Sequence, residues 1–170
     1  MVSFEQMGEN LKNEIVIREV SFQDSKEIYL IRNHVENYKW FFNEAEVTEE
    51  EHELWFLSRL TELRPFTLVA ELDNEIVGTA YLKDVELEWP RVSITVKPGS
   101  KGKGVGSRLL NELILRAKQT NLKSLLAEIK VLNITSIQFF AHHGFVRIDP
   151  APRPHTNYHV QIITLVLNLT

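Results

Sequence analysis

Between Arg91 and Ser107 the chain changes its period, and the change is made through glycine. Residues 91–96 (Arg-Val-Ser-Ile-Thr-Val) read as a strand, whereas from Gly104 onward Val105, Leu109, Leu110, Leu113, Ile114 and Ala117 recur on one face of a helix of about four turns. The join is Lys97-Pro98-Gly99-Ser100-Lys101-Gly102-Lys103-Gly104-Val105-Gly106-Ser107, so the helix opens inside a glycine-rich loop. Such a junction suits an anion. Glycine lets the main chain approach without a Cβ in the way, the first-turn amides have no acceptor inside the helix, and the helix dipole adds about half a positive charge. Lys101 and Lys103 add full charges beside them, and the loop reads as a grip for a diphosphate.

Two familiar phosphate loops fail on spacing. A Walker loop needs Lys and then Ser or Thr after its last glycine, but Val105 follows Gly104. The dinucleotide fingerprint reserves a third glycine where this chain has Ser107 or Leu109, depending on register.

Around this loop the periodicity predicts a strand over residues 14–20 and a helix from Ser21, with Ile28, Ile31 and Val35 at helical spacing. An aromatic, irregular stretch follows over residues 36–47. Thr48 and Glu51 form a capping box, and Leu54, Phe56, Leu57 and Leu60 supply the apolar side of a second helix. Residues 66–72, 76–82 and 91–96 read as an antiparallel meander turning at Asp73-Asn74. A buried strand (124–131), a short helix (134–142), a proline-rich join (Pro150 to Pro154) and a closing strand (158–167) complete the pattern. Residues 1–13 are polar and patternless and are expected to be a loose lead-in. Residues 14–170 are expected to form one domain, since 170 residues at 44% apolar composition suffice for one core.

Charge and composition exclude several classes. Lys and Arg number 19 against 23 Asp and Glu, net −4, the wrong sign for a protein that lives on phosphate backbones, so no nucleic-acid partner is expected. There is no cysteine, hence neither disulfide nor thiolate chemistry. No stretch approaches the roughly 18 apolar residues of a membrane span, and the N-terminus lacks the order of a signal peptide, so the expectation is a cytoplasmic protein with no membrane partner. The six histidines form no paired-His motif; His142 and His143 are adjacent and diverge, and no metal is expected. A homodimer is left open.

The segment Lys101-Gly102-Lys103-Gly104-Val105-Gly106 resembles the coenzyme A signature of the GNAT superfamily of N-acetyltransferases, which has Gln or Arg, two residues, Gly, one residue, then Gly or Ala. Asn133-Ile-Thr-Ser136-Ile-Gln-Phe139-Phe140-Ala-His-His-Gly144-Phe145 is similar to that family's Asn-x-x-Ala-x-x-x-Tyr-x-x-x-Gly-Phe ending. The order of elements over residues 14–167 resembles the fold as well. The likeness implies an α/β (α+β) domain with a mixed, mostly antiparallel sheet and helices on both faces. It also implies acetyl-CoA as co-substrate: Ile94, Thr95 and Val96 pair their backbone with the pantetheine arm, the amides of Lys101, Gly102, Lys103, Gly104, Val105, Gly106 and Ser107 hold the pyrophosphate, Asn133 touches the pantetheine, and Ser136 and Phe140 complete the motif. Two departures stand out. Lys101 replaces Gln or Arg, a mild change where the main chain does the binding, and Phe140 replaces the Tyr that often protonates the leaving thiolate, which leaves a phenyl ring with no proton to give.

An amine attacks a thioester only as its free base, so a proton must be removed. Glu128 is the candidate base, a carboxylate in an otherwise apolar run (Leu125, Leu126, Ala127, Ile129). Its pKa is expected to rise by desolvation unless it is paired, and an ion-paired Glu is the competing reading. Glu86 and Glu88 are alternatives near the strand pair, with more the look of loop charges. The stretch from Ile31 to Asn43 and Glu50-Glu51-His52 resembles the part of the superfamily that acetylates nucleotide-linked amino sugars, including pseudaminic acid pathway enzymes. By that likeness Arg32, Phe41, Phe42, Asn43 and His52 face the acceptor, and fold analogy adds Tyr158 and His159. The expected function is acetyl transfer to a primary amine of a small molecule. A nucleotide-linked amino sugar is preferred over a protein N-terminus, a polyamine or an antibiotic amine, and a non-catalytic acyl-CoA-binding module is the rival outside enzymes.

Overall fold

In the computed structural model, which describes residues 14–61, 66–149 and 161–169, one seven-stranded sheet runs in the order β1-β2-β3-β4-β5-β7-β6. The strands are β1 (Val16–Glu19), β2 (Thr67–Leu72), β3 (Glu75–Lys83), β4 (Arg91–Val96), β5 (Ser124–Lys130), β6 (Val146–Arg147) and β7 (Ile162–Asn168). The helices are α1 (Ser25–Asn33), α2 (Val35–Tyr38), α3 (Glu49–Leu60), α4 (Val105–Gln119) and α5 (Ile134–His142). Every strand pairing is antiparallel except β4 with β5. The expected meander and its turn are present. Asp73 (φ 52°) and Asn74 (φ 64°) both adopt the left-handed conformation that a two-residue hairpin loop requires.

Each face of the sheet buries its own apolar set. On one side α4 lays Val105, Leu109, Leu110, Leu113 and Ala117 against Leu68, Ala70, Ala80, Leu82, Leu125, Ala127 and Ile129. Each fully buried leucine contributes about 1.5–3 kcal/mol of transfer free energy. Close approach is set by Gly78, where an added Cβ would lie 3.0 Å from Val105 Cγ1 and 3.1 Å from Leu109 Cδ1. That contact seats the start of α4 over Gly78 of β3, the register partner of Val96 at the end of β4. On the other side Ile28, Ile31 and Phe56 from α1 and α3 cover Val69 and Ile76.

Two helical expectations need correction. The helix expected from Ser21 through Val35 is a 3-10 turn (Phe22–Asp24) followed by α1, which stops at Asn33. His34 is extended (φ −66°, ψ 134°) and its Nδ1 accepts a hydrogen bond from the Glu36 amide, so it caps a new short helix and Val35 is left exposed. In α3 the capping box is as expected, the Thr48 amide donating to Glu51 Oε2 (2.8 Å) and the Glu51 amide to Thr48 Oγ1 (3.2 Å). Leu54 and Leu57, however, face solvent, and the buried side is His52 and Phe56, one helical turn apart. Strand β6 had no sequence signal beyond two residues. The proline-rich join, His155, Tyr158 and His159 lie outside the described residues.

Candidate active site

Strands β4 and β5 are joined through a single aligned pair, Arg91 with Leu126, where the Leu126 amide donates to Pro90 O at 2.8 Å. Beyond that point they part, and the gap is the floor of a cleft of about 700 Å³. Backbone groups alternate along a strand. Arg91, Ser93 and Thr95 face β3, in register with Lys83, Tyr81 and Thr79, and Lys97 continues that side by donating to Val77 O. The polar groups of Val92, Ile94 and Val96 therefore point into the gap. This refines the expectation for the strand: Ile94 and Val96 are placed to offer main-chain donors and acceptors to an extended ligand, whereas the Thr95 backbone is bonded to β3 and contributes its side chain. Asn37, buried, stands over the same edge, its Nδ2 donating to Ile31 O (2.8 Å) and Val96 O (3.2 Å).

At the end of the cleft lies the glycine loop. Gly102 (φ 77°) and Gly104 (φ 82°) are left-handed, and a Cβ at either would meet nothing within 4 Å, so conformation rather than crowding requires glycine there. Gly104 caps α4 without any side-chain bond, and the first helical bond is Arg108 N to Gly104 O at 3.0 Å. The amides of Val105, Gly106 and Ser107 belong to the first turn, which has no internal acceptor for them. Lys101, Gly102, Gly104, Val105, Gly106 and Ser107 all line the cleft; Lys103 is exposed and does not. Lys101 leans toward Glu36, Nζ to Oε2 3.6 Å. From the far wall Asn133 caps α5, its Oδ1 accepting from Ser136 N at 3.2 Å, which leaves its amide NH2 as the end available to a ligand. Ser136 and Phe140 line the cleft as well, and Phe140 is buried edge-on against Phe145 at 5.0 Å. A strand edge with open main-chain groups, leading to a nest of unpartnered amides, fits a pantetheine arm ending in a pyrophosphate.

Glu128 faces the cleft from β5 with its side chain 6% exposed. It is paired, accepting from Arg91 Nη1 at 3.1 Å, while Arg91 Nε also donates to Asp84 Oδ2 at 2.7 Å. The expectation of an isolated, desolvated carboxylate thus gives way to its alternative, a Glu whose charge has a partner. Burial works against the Arg91 charge, and its bonds to Glu128 and Asp84 overcome that effect and raise its pKa. Glu86 and Glu88 are exposed and off the cleft.

Arg32, Phe41, Phe42, Asn43 and His52 come together around a second cavity of about 360 Å³, which shares Phe41, Phe42, Lys83 and Thr95 with the cleft. The Arg32 guanidinium lies 3.8 Å from the Phe41 ring centroid and donates to Asn43 Oδ1 (3.1 Å) and Ala45 O (3.2 Å); burial lowers its pKa. His52 is 4% exposed, in contact with the rings of Tyr29, Trp55 and Phe56. Its Nε2 lies 2.9 Å from Ser25 O, which can only accept, so the proton sits on Nε2. Burial pushes the imidazole pKa down, against a smaller upward pull from the Ser25 carbonyl. Sequence reasoning did not assign Thr79, Tyr81 and Lys83, which alternate along β3 into this cavity, or Lys130, Arg91 and Asn37 around the cleft. The period-two polar pattern at 79, 81 and 83 was the available signal. Among the described residues no group of three or more His, Asp or Glu is placed to hold a metal, and no helix is long and apolar enough to cross a membrane.

A profile of the Acetyltransferase (GNAT) family matches residues 29–145. The Bacillus subtilis protein YwnH, which carries the name of a phosphinothricin acetyltransferase, is 38% identical over 105 residues, 58% of this chain and 63% of its own length. The L-methionine sulfoximine/L-methionine sulfone acetyltransferase of Pseudomonas aeruginosa is 30% identical over 135 residues, 76% of this chain and 78% of that protein. Among solved structures, yncA from Salmonella typhimurium with its cofactor acetyl-CoA superposes with a TM-score of 0.77 at 24% identity, covering 93% of this chain and 95% of that one. An N-acetyltransferase from Staphylococcus aureus Mu50 does so with 0.77 at 22%, covering 92% and 99%. The profile spans both the split strand pair and the glycine loop, and the two motifs stand where the geometry needs them. The chain therefore belongs to the GNAT family of acetyltransferases and is an acyl-CoA-dependent N-acetyltransferase.

Proposed function

We propose that this enzyme moves the acetyl group of acetyl-CoA to the primary amine of a small amino acid or amino-acid analogue carrying an acidic group. The observation that carries the reading is the second cavity. At about 360 Å³ it stands near the small end of ligand pockets, which span about 300–1,000 Å³, and it presents Arg32 and Lys83 beside the wall shared with the cleft. Two cations suit a carboxylate, phosphinate or similar group held next to the reacting amine. The relatives named for phosphinothricin and L-methionine sulfoximine have substrates of that chemistry in their names.

A nucleotide-linked amino sugar fits this cavity less well. One face of Phe41, a platform on which a base would stack, is covered by Arg32. What keeps this second reading is Trp40, 37% exposed on the cleft with Lys39 Nζ 5.6 Å from its ring, a pair that suits a base and its phosphate.

In the proposed reaction the amine nitrogen bonds to the acetyl carbon, the carbon–sulfur bond breaks, and Glu128 takes the amine proton, its charge held in the cleft by Arg91. Phe140, packed against Phe139 and Phe145, gives no proton, so sulfur departs as thiolate. Thiol release from acetyl-CoA, followed with L-methionine sulfoximine, L-phosphinothricin, spermidine and a UDP-linked 4-amino sugar, tests the acceptor. Turnover is expected with the first two; turnover confined to the nucleotide sugar would replace this reading with the second, and turnover confined to spermidine would discard both.

A further inference from the structure

Residues 39–47 form the partition between the cleft and the acceptor cavity: Trp40 lines the cleft, Phe41 and Phe42 line both, and Asn43 and Val47 line the cavity. The partition contains no helix or strand, and Glu44 within it is left-handed (φ 49°). Side chains from elsewhere hold it in place. On the α1 side Arg32 bonds Asn43 and Ala45, and Asn33 exchanges two hydrogen bonds with Val47, at 2.7 and 3.0 Å. On the opposite side one residue of β5 does the work: Lys130 Nζ donates to Lys39 O at 2.8 Å and to Glu44 Oε1 at 2.7 Å, joining the two ends of the aromatic run.

Lys130 is the one lysine among the described residues that is buried, with a side chain 7% exposed against 56% for Glu44. A buried ammonium without acceptors is costly, so the charge cannot lose Lys39 and Glu44 without finding replacements. The geometry points to Lys130 as a positioning residue. It latches the partition to β5 and so sets the shape of the acceptor cavity, while the main-chain grip on acetyl-CoA at 94–107 is built independently of it. The assignment to acceptor binding rests on the reading that the smaller cavity holds the amine.

The test compares the full-length wild type with Lys130→Met, Lys130→Arg and Glu44→Ala, the last a safe second variant because Glu44 is exposed. Hydrogen exchange is read over residues 39–45, where the amides of Trp40, Phe41 and Glu44 are bonded to Asn37, Tyr38 and Phe41. Exchange there is expected to rise at least about tenfold in Lys130→Met and about threefold in Glu44→Ala. With L-methionine sulfoximine as probe, its KM is expected to rise by similar factors, about tenfold and threefold, the acetyl-CoA Kd, whose cleft Lys130 and the aromatic run also line, weakening by clearly less than that, and Lys130→Arg restoring most of the loss. Wild-type exchange in both Lys130→Met and Glu44→Ala would overturn the latch, and so would an acetyl-CoA Kd that weakens in step with the acceptor KM. If wild-type enzyme acetylates no amino-acid probe, the acceptor reading fails by itself, and exchange with the acetyl-CoA Kd still decides the latch.

Discussion

The two cavities of this enzyme are built from different materials. The acetyl-CoA cleft takes its grip from main chain: the outward edge of β4, the amides of the glycine loop and the cap of α5, most of its lining coming from two short runs of sequence at 91–107 and 128–140, with Asn37, Trp40, Phe41, Phe42 and Lys83 completing the wall. The cavity proposed for the acceptor is made of side chains drawn from five places, α1, the partition, α3, β3 and β4, with one to four from each. A cofactor that is the same for every member of a family can be held by groups every residue possesses, whereas an acceptor must be told apart by side chains. Changes to the first region should therefore be sensitive to backbone conformation, and changes to the second to chemistry.

Glu128, the proposed base, lines the acetyl-CoA cleft, and its replacement carries the largest expected effect. Glu128→Gln keeps the shape and one acceptor for Arg91 and removes the proposed base. kcat is expected to fall about 10²–10⁴-fold, with acetyl-CoA binding by calorimetry unchanged. A variant that keeps wild-type kcat would assign the proton to another group.

Gly104→Val tests the cleft alone. An L residue in the left-handed region costs about 1–2 kcal/mol, and a β-branched one more, so the loop should abandon its conformation and misaim the first-turn amides. Each lost amide–phosphate bond is worth about 1.5–3 kcal/mol, so acetyl-CoA affinity should weaken at least about tenfold. The acceptor KM at saturating acetyl-CoA should move less than about twofold. Equal losses on both sides would dissolve the distinction between the two regions.

The same division explains what could be read from the sequence. The glycine loop, the strand feeding the loop and the Thr48 capping box were legible because each depends on contiguous residues with a stated backbone or capping requirement, whereas the Asn133 cap of α5 emerged only in the folded chain. The helix break at His34 was hidden because a side-chain cap and a buried Asn37, bonded to Ile31 and Val96, override the spacing of Ile28, Ile31 and Val35. The Arg91 partner of Glu128 stands 37 positions away and is set by the one aligned pair of β4 and β5, a register that no local pattern encodes. The five residues that the family likeness assigned to the acceptor do line one cavity, but their mutual contacts were not legible. Arg32 gives part of its hydrogen bonding to the partition rather than to a ligand, and only the folded chain shows that.

The smallest expected effect belongs to the chemistry of the acceptor side, at His52. Its imidazole is held neutral by burial, its folded pKa lying below the unfolded value of about 6.5. Between those two values the unfolded chain binds a proton that the folded chain refuses, so stability falls as pH drops below about 6.5 and is fully present above it. The groups facing the ring include Glu53, whose charge favours protonation, and Arg32, whose charge opposes it, with burial outweighing both. One proton limits the slope, and for a domain of this size each kcal/mol moves the melting temperature by about 2–4 °C, so the decline should be a few degrees per pH unit at most. His52→Gln should flatten the melting profile below about pH 6.5, while leaving untouched the loss at lower pH that follows from Asp24, where burial works against the charge and the bonds from Arg18 and Ser21 outweigh it and hold the carboxyl below the usual range. A variant profile parallel to wild type through that window would show that His52 takes up its proton in the folded enzyme as it does in the unfolded chain, and below about pH 6.5 the cavity would then present a third cation rather than a neutral ring.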